Sequence, residues 1–313
     1  MRVDVVAVAH GLLALLLAGV PLAAQRNWTV ERTPWGDPDL QAVWSGDAAG
    51  GIPIQRPVQL GTKAELTDQE FAEKQQRDAR ARKQGEDAVG SMRIDSAWLD
   101  RTFRQTSLVV DPPDGRIPPL VPSAEARRTP VGTYGNGPFD SPADLTLYDR
   151  CVTLGVVGTM VPRVYGNGFR IVQAPGVVAI MAEMIHEARV IPLDGPAHIA
   201  PAITQDMGDA RGHWEGDTLV VETTNFKARS VYRNANPARL KLTERFVRIA
   251  PNRVRWSVTV DDPTTWTRPW TFSMPLTADD QPLPLYECHE GNYGLRNILS
   301  AARAEERARA ADK

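Results

Sequence analysis

The chain has 313 residues, with 36 Lys and Arg against 38 Asp and Glu and a formal net charge of −2. Acids and bases are interspersed, which excludes a basic footprint for nucleic acid and a polybasic membrane patch, and leaves a small-molecule ligand or substrate as the expected partner. With 24 Gly and 25 Pro, the chain is rich in turns yet long enough for one large domain with an extension.

The first element is an apolar leader. Met1 and Arg2 precede an uncharged stretch densest at GLLALLLAGVPLAA, residues 11–24, too short for a secure membrane span and suited to a signal h-region. Pro21 before small residues sets the expected cleavage after Ala24. The working protein is then periplasmic or secreted, without a stable membrane anchor.

Residues 25–143 change character often and read as an irregular wrapping region, in fragments such as DPPDGRIPPLVP. Two exceptions stand out. Thr67 and Glu70 form a capping-box pair for a solvated helix over about 67–84, stopped near Gly85. Residues 107–111 and 116–120, joined by a PPDG turn, read as a short hairpin.

From 144 to 300 the pattern is one of strands. Residues 169–174 lead through Pro175-Gly176 into 177–193, long enough for one bent strand or two. Gly216-Asp217 marks a hairpin between HWE and TLVVETTNF. Residues 240–249 and 253–262 make another, and 265–276 and 284–289 continue the series; residues 301–313 form a helical or disordered tail. The expected fold is mainly β, an antiparallel curled sheet or lipocalin-like barrel. Cys151 and Cys288 are the only cysteines, and in an oxidising compartment they read as a disulfide contributing about 2–5 kcal/mol, with two buried free thiols as the other reading.

Alternate side chains of a strand face opposite sides. Over 177–191 the even positions Val178, Ile180, Ala182, Met184, His186, Ala188 and Val190 make an apolar face with one histidine. The odd positions carry Glu183, Glu187 and Arg189. Either this odd row points into a cavity, where partial burial raises a carboxylate for acid/base work beside an arginine, or it faces water. A bend near Ile185 would re-aim His186 and its neighbours.

Histidine stands beside a carboxylate at His186-Glu187, His213 with Glu215, and His289-Glu290. His186, Glu187, His213 and His289 are therefore the catalytic candidates. No two histidines have the helical spacing of a zinc protease, and no metal is expected. His198, in a Pro-flanked loop, reads as ordinary. Asp209, Arg211, His213 and Glu215 recur at period two, as a ligand-holding row or a surface ladder of ion pairs. Arg189, Arg211 and Glu215 are the polar ligand contacts. Arg268 between Trp266 and Trp270 offers a stacking wall, with core packing as the other reading. There is no G-x-S-x-G elbow, P-loop, dinucleotide fingerprint or C-x-x-C, so no cofactor is expected.

The runs GDPDLQAVW, SLVVDPPDGRIPPL, MIHEARVIPLDG, GHWEGDTLVVETTNF and YECHEGNYGLRNILS resemble a large family of secreted bacterial proteins with no established activity. The resemblance covers nearly the whole chain after the leader and implies export; it assigns no site. The segment VVGTMVPRVYGNG departs from the Pro- and Met-richer stretch expected there. The functional expectation is an exported protein acting on a small molecule in a barrel cavity, by acid/base isomerase, lyase or hydrolase chemistry. A non-catalytic carrier of an apolar or aromatic ligand, and an envelope interaction protein, are the alternatives.

Overall fold

In the computed structural model the described residues are 28–86, 103–126, 139–163, 165–193, 195, 197–228, 233 and 235–311. The expected leader lies outside them. Among them, no helix is long and apolar enough to cross a membrane.

The protein is built on one ten-stranded antiparallel sheet. Its strands are β1 (Ala42–Ser45), β2 (Val109–Asp111), β3 (Gly168–Ala174), β4 (Val177–Ala182), β5 (Ala188–Pro192), β6 (Asp209–Glu215), β7 (Thr218–Thr224), β8 (Lys241–Ala250), β9 (Arg253–Asp261) and β10 (Trp270–Asp279). The order across the sheet is β5-β4-β3-β1-β10-β9-β8-β7-β6, with β2 on β10 beside β1. Three hairpins fall where their turns predict, at Pro175-Gly176, Gly216-Asp217 and Pro251-Asn252.

The sheet curls without closing into a barrel. Its edges β5 and β6 meet at a single parallel bridge, Leu193 to Gly212. A Cβ on Gly212 would stand 2.8 Å from Leu193 Cδ2 and 2.9 Å from Ile191 Cγ2, so any side chain there would force these two to shift. The concave side holds the core. Strict alternation puts Leu242, Glu244 and Phe246 of β8 and Val254, Trp256, Val258 and Val260 of β9 inside. Trp256 meets Phe272 edge-on at 5.3 Å, and Trp266 meets Trp270 at 5.6 Å. Each such fully buried large side chain is worth about 1.5–3 kcal/mol of apolar transfer.

Among the described residues four α-helices accompany the sheet: α1 (Asp68–Glu86), α2 (Pro122–Glu125), α3 (Gly155–Met160) and α4 (Tyr293–Ala311). The capping box of α1 forms, with Thr67 N–H donating to Glu70 at 2.8 Å and Glu70 N–H to Thr67 Oγ1 at 3.3 Å. The Lys63 ammonium, then Thr67, hold the Glu70 carboxyl down at about 2. The helix continues through Gly85 rather than stopping there, and α4 begins well before residue 301.

Other expectations are corrected. The PPDG turn forms, with Gly115 N–H on Pro112 O at 2.8 Å, but its arms do not pair as a hairpin. Val109 and Asp111 instead join β10, and Leu120 bridges Trp266, so the apolar β10 outcompetes the local partner. The stretch 284–289 is not a strand; Pro284 lacks a donor, and Cys288 is drawn into a disulfide. Residues 263–265 form a turn held by Asp262, Trp266 makes only the bridge to Leu120, and β10 starts at Trp270. The region 25–143 does more than wrap, since β1 lies at the centre of the sheet with Trp44 fully buried.

Candidate functional site

The chain breaks between β4 and β5, where Ile185 and His186 adopt φ of 63° and 53°. A β-branched residue in the left-handed region is a strained exception. The break shifts the alternation by one residue. Val178, Ile180, Ala182 and Met184 face the core as expected, but beyond it Arg189 is buried while Ala188 and Val190 are exposed. The predicted apolar face therefore ends at Met184.

Arg189 consequently reaches the sheet interior and forms a two-pronged ion pair with Glu244, which is fully buried on β8. The Nη2 prong is 2.7 Å long, and Trp256 Nε1 donates to the same Glu244 oxygen at 3.0 Å. Arg189 thus neutralises a buried acid. Glu187 beside it accepts from Thr153 Oγ1 at 2.7 Å. Burial pushes its carboxyl above the ordinary range, against the pull of Thr153 and the Leu154 amide. The space between them, lined by Glu187, Arg189, Thr159, Met160 and Met207, is about 10 Å³, room for about one water.

The remaining predicted residues do not join them. His213 Nε2 lies 3.2 Å from Glu215, which accepts from Arg245 at 2.7 Å; all three are exposed, so this is the surface ladder. Arg211 pairs with buried Asp209 at 3.0 Å. Asp209 also takes the Ile199 amide at 3.1 Å and His198 Nδ1 at 2.7 Å, so the histidine read as ordinary is the one tied to a buried carboxylate. Arg268 points outward to Asp111 at 3.1 Å, whereas Trp270 is core. His289 is exposed in the turn after Cys288. Among the described residues, no group of three or more His, Cys, Asp or Glu is placed to hold a metal ion.

A second polar cluster surrounds the Cys151–Cys288 disulfide, whose Cα atoms are 5.8 Å apart across 137 residues of sequence. The bond brings Tyr148 and Asp149 from one segment against Tyr286 and the start of α4. Asn292 fixes the join, accepting from Leu295 N–H at 3.1 Å while its Nδ2 donates to Asp149 O at 2.7 Å. Tyr165 stacks on Tyr286 at 6.4 Å and hydrogen-bonds Tyr148. Arg163 lies over the Tyr148 ring at 5.4 Å. Burial pushes the Tyr148 and Tyr286 phenols up, so both stay protonated and neutral.

Tyr148, Asp149, Tyr286, Asn292 and the disulfide wall an open cleft of about 170 Å³, with Tyr165 and Arg163 packed behind the tyrosines. His186 belongs to this region: its Nε2 accepts the Tyr286 N–H at 2.9 Å and helps to fix the cleft wall. Behind it the Glu183 carboxyl is raised by burial, opposed by the Gly168 amide at 3.1 Å. Large apolar residues neighbouring the cleft-lining positions are exposed: Leu285 at 74%, Tyr293 at 69%, Val152 at 41% and Tyr165 at 40%. Tyr148, Tyr165, Tyr286 and Asn292 carry no spacing signal. The available clue was the disulfide itself, since Tyr148 and Tyr286 lie within three residues of Cys151 and Cys288. No family model, curated protein or solved structure matches the chain.

Proposed function

We propose that the protein is an exported small-molecule-binding protein whose ligand occupies the tyrosine-lined cleft at the disulfide. The leader-like residues 1–24 and the Cys151–Cys288 bridge support export. One observation carries the site: an open cleft of about 170 Å³ with convergent phenols and an apolar rim, against space for about one water beside Glu187 inside the sheet. The predicted ligand site thus moves from the sheet interior to the cleft.

Acid/base turnover in the same cleft is the second reading, favoured by the raised Glu183 carboxyl behind Tyr286. One experiment tests both. Compounds that raise the melting temperature of the native protein are expected to lose that effect in Tyr286→Ala, because ligands stabilise only the state that binds them. Recovery of the compound unchanged after long incubation identifies a carrier; conversion that depends on Glu183 identifies an enzyme. Equal stabilisation of native protein and Tyr286→Ala by every hit rules out the cleft.

A further inference from the structure

We propose that the outer face of β3, β4 and β5 docks the C-terminal half of α4 from a second copy of the chain, in a reciprocal two-fold exchange that is independent of the cleft. On β8 and β9 the convex side is polar, with Thr243, Arg245, Arg255 and Thr259 turned outward. On β3 to β5 it is apolar. Val172, Ala179 and Val190 are register partners, so they form one row across the three strands, and both are well exposed at its ends: Val172 at 45% and Val190 at 63%. The outward rows on either side add apolar side chains at every position except Arg170. A contiguous apolar face left open at the end of a sheet marks an interaction surface.

Size and charge select the occupant. Three strands about 4.8 Å apart and five residues long offer a face of about 14 by 17 Å, the footprint of one helix about 16 Å long. Residues 301–311 of α4 have that length. Arg303 ties the helix to the body through the Phe139 carbonyl at 2.9 Å, and every residue from 304 to 311 is exposed. Ala301, Ala304, Ala308 and Ala311 share one side of this segment, so its backbone can approach a flat sheet closely. Glu305 flanks that stripe and pairs with exposed Arg309 at 3.4 Å, a contact worth little. Arg170 has no hydrogen-bond or ion-pair partner among the described residues, and docking gives it Glu305 of the second copy. A second β3 to β5 face would instead confront Arg170 with apolar rows and no outward acid. One helix contact falls short of a stable interface; the two contacts of a reciprocal exchange together bury about 1,000 Å², the threshold for one.

The test is sedimentation equilibrium of the intact, oxidised protein from about 1 μM to 1 mM, the range of weak interfaces. A reversible monomer–dimer equilibrium is expected. Val190→Lys, a substitution that edge strands tolerate, should weaken it roughly tenfold or more by removing a buried side chain at each contact. Arg170→Glu and Glu305→Arg should each weaken it roughly fivefold, and the double exchange Arg170→Glu, Glu305→Arg should return it to within about twofold of the native value. All four positions are exposed in the single chain, so the melting temperature at the lowest concentration should match the native protein in every variant.

A native protein that stays monomeric over the whole range overturns the proposal. So does a dimer whose affinity is unchanged by Val190→Lys, because the apolar face is then not its interface. A dimer weakened by Val190→Lys but not restored by the double exchange pairs through that face with some other element, and the assignment to α4 fails. Recovery in the double exchange, with both single variants weakened, establishes that Arg170 of one copy meets Glu305 of the other.

Discussion

The stretch from Glu183 to Arg189 feeds two regions that handle polarity in opposite ways. Inside the sheet, Arg189 and Glu244 neutralise each other under Trp256, Phe246 and other apolar side chains, with scarcely any free volume. At the disulfide cleft, the polar groups are phenols, an amide and one lining carboxylate, and the space is open. A buried ion pair tolerates no gap, because each unpaired charge would be stranded in low dielectric. Neutral phenols carry no such penalty and can front an open cleft. The first region ties edge strand β5 to β8 across the curled sheet; the second is left open to solvent.

The largest test of this contrast is to strand one charge. Arg189→Met leaves Glu244 buried with Trp256 as its remaining polar partner, and is expected to cost about 3–5 kcal/mol in a denaturant titration. Adding Glu244→Gln keeps an acceptor for Trp256 Nε1 and should restore most of that loss. If the double variant is no more stable than the single one, the ion pair contributes more than mutual neutralisation, and the distinction between the two regions weakens.

Breaking the cleft's own tie comes next. Cys151 and Cys288 close a loop of 137 residues, so the Cys151→Ser, Cys288→Ser variant should lose about 2–5 kcal/mol. The loss should fall unevenly: the β6 to β10 ladder keeps its far-ultraviolet signal in native buffer, while the Tyr148 to Tyr286 contacts separate and cleft binding drops. Unchanged binding in the cysteine-free protein would show that Asn292 and His186 suffice to hold the wall.

The same contrast marks what the sequence made legible. The hairpins β6-β7 and β8-β9 were readable because Gly216-Asp217 and Pro251-Asn252 are turns with alternating apolar residues on both sides. β1 was not, since four residues in a Pro- and Gly-rich stretch carry too little period to count. The bend at Ile185 was foreseen, but not its consequence: two consecutive left-handed residues have no signature in Ile-His, and they decide that Arg189 turns inward. The polar row at Arg211, His213 and Glu215 has the same alternation whether it faces ligand or water, and it faces water. Tyr148 and Tyr286 are more than a hundred residues apart in sequence, and the disulfide pairing was the sequence feature that could have placed them together.

The smallest expected effect lies at the boundary between the two regions, on Glu187. Its carboxyl is raised above 4.5 in the folded protein, chiefly by burial. A raised folded value favours the protonated form, so the stability it contributes is fully present below pH 4.5 and is lost as pH rises through the folded value. Glu187→Gln mimics the protonated form and keeps an acceptor for Thr153. The variant should therefore melt with the native protein at pH 4 and above it at pH 7, by roughly 1–2 °C given its partial exposure. Glu183 shifts in the same direction, and Glu215 and Glu70 in the other, so the difference between variant and native curves isolates Glu187. A variant that is less stable at pH 7 would mean that the ionised carboxylate is held favourably beside Arg189, making Glu187 part of the buried ion network rather than a neighbour whose ionised form burial penalises.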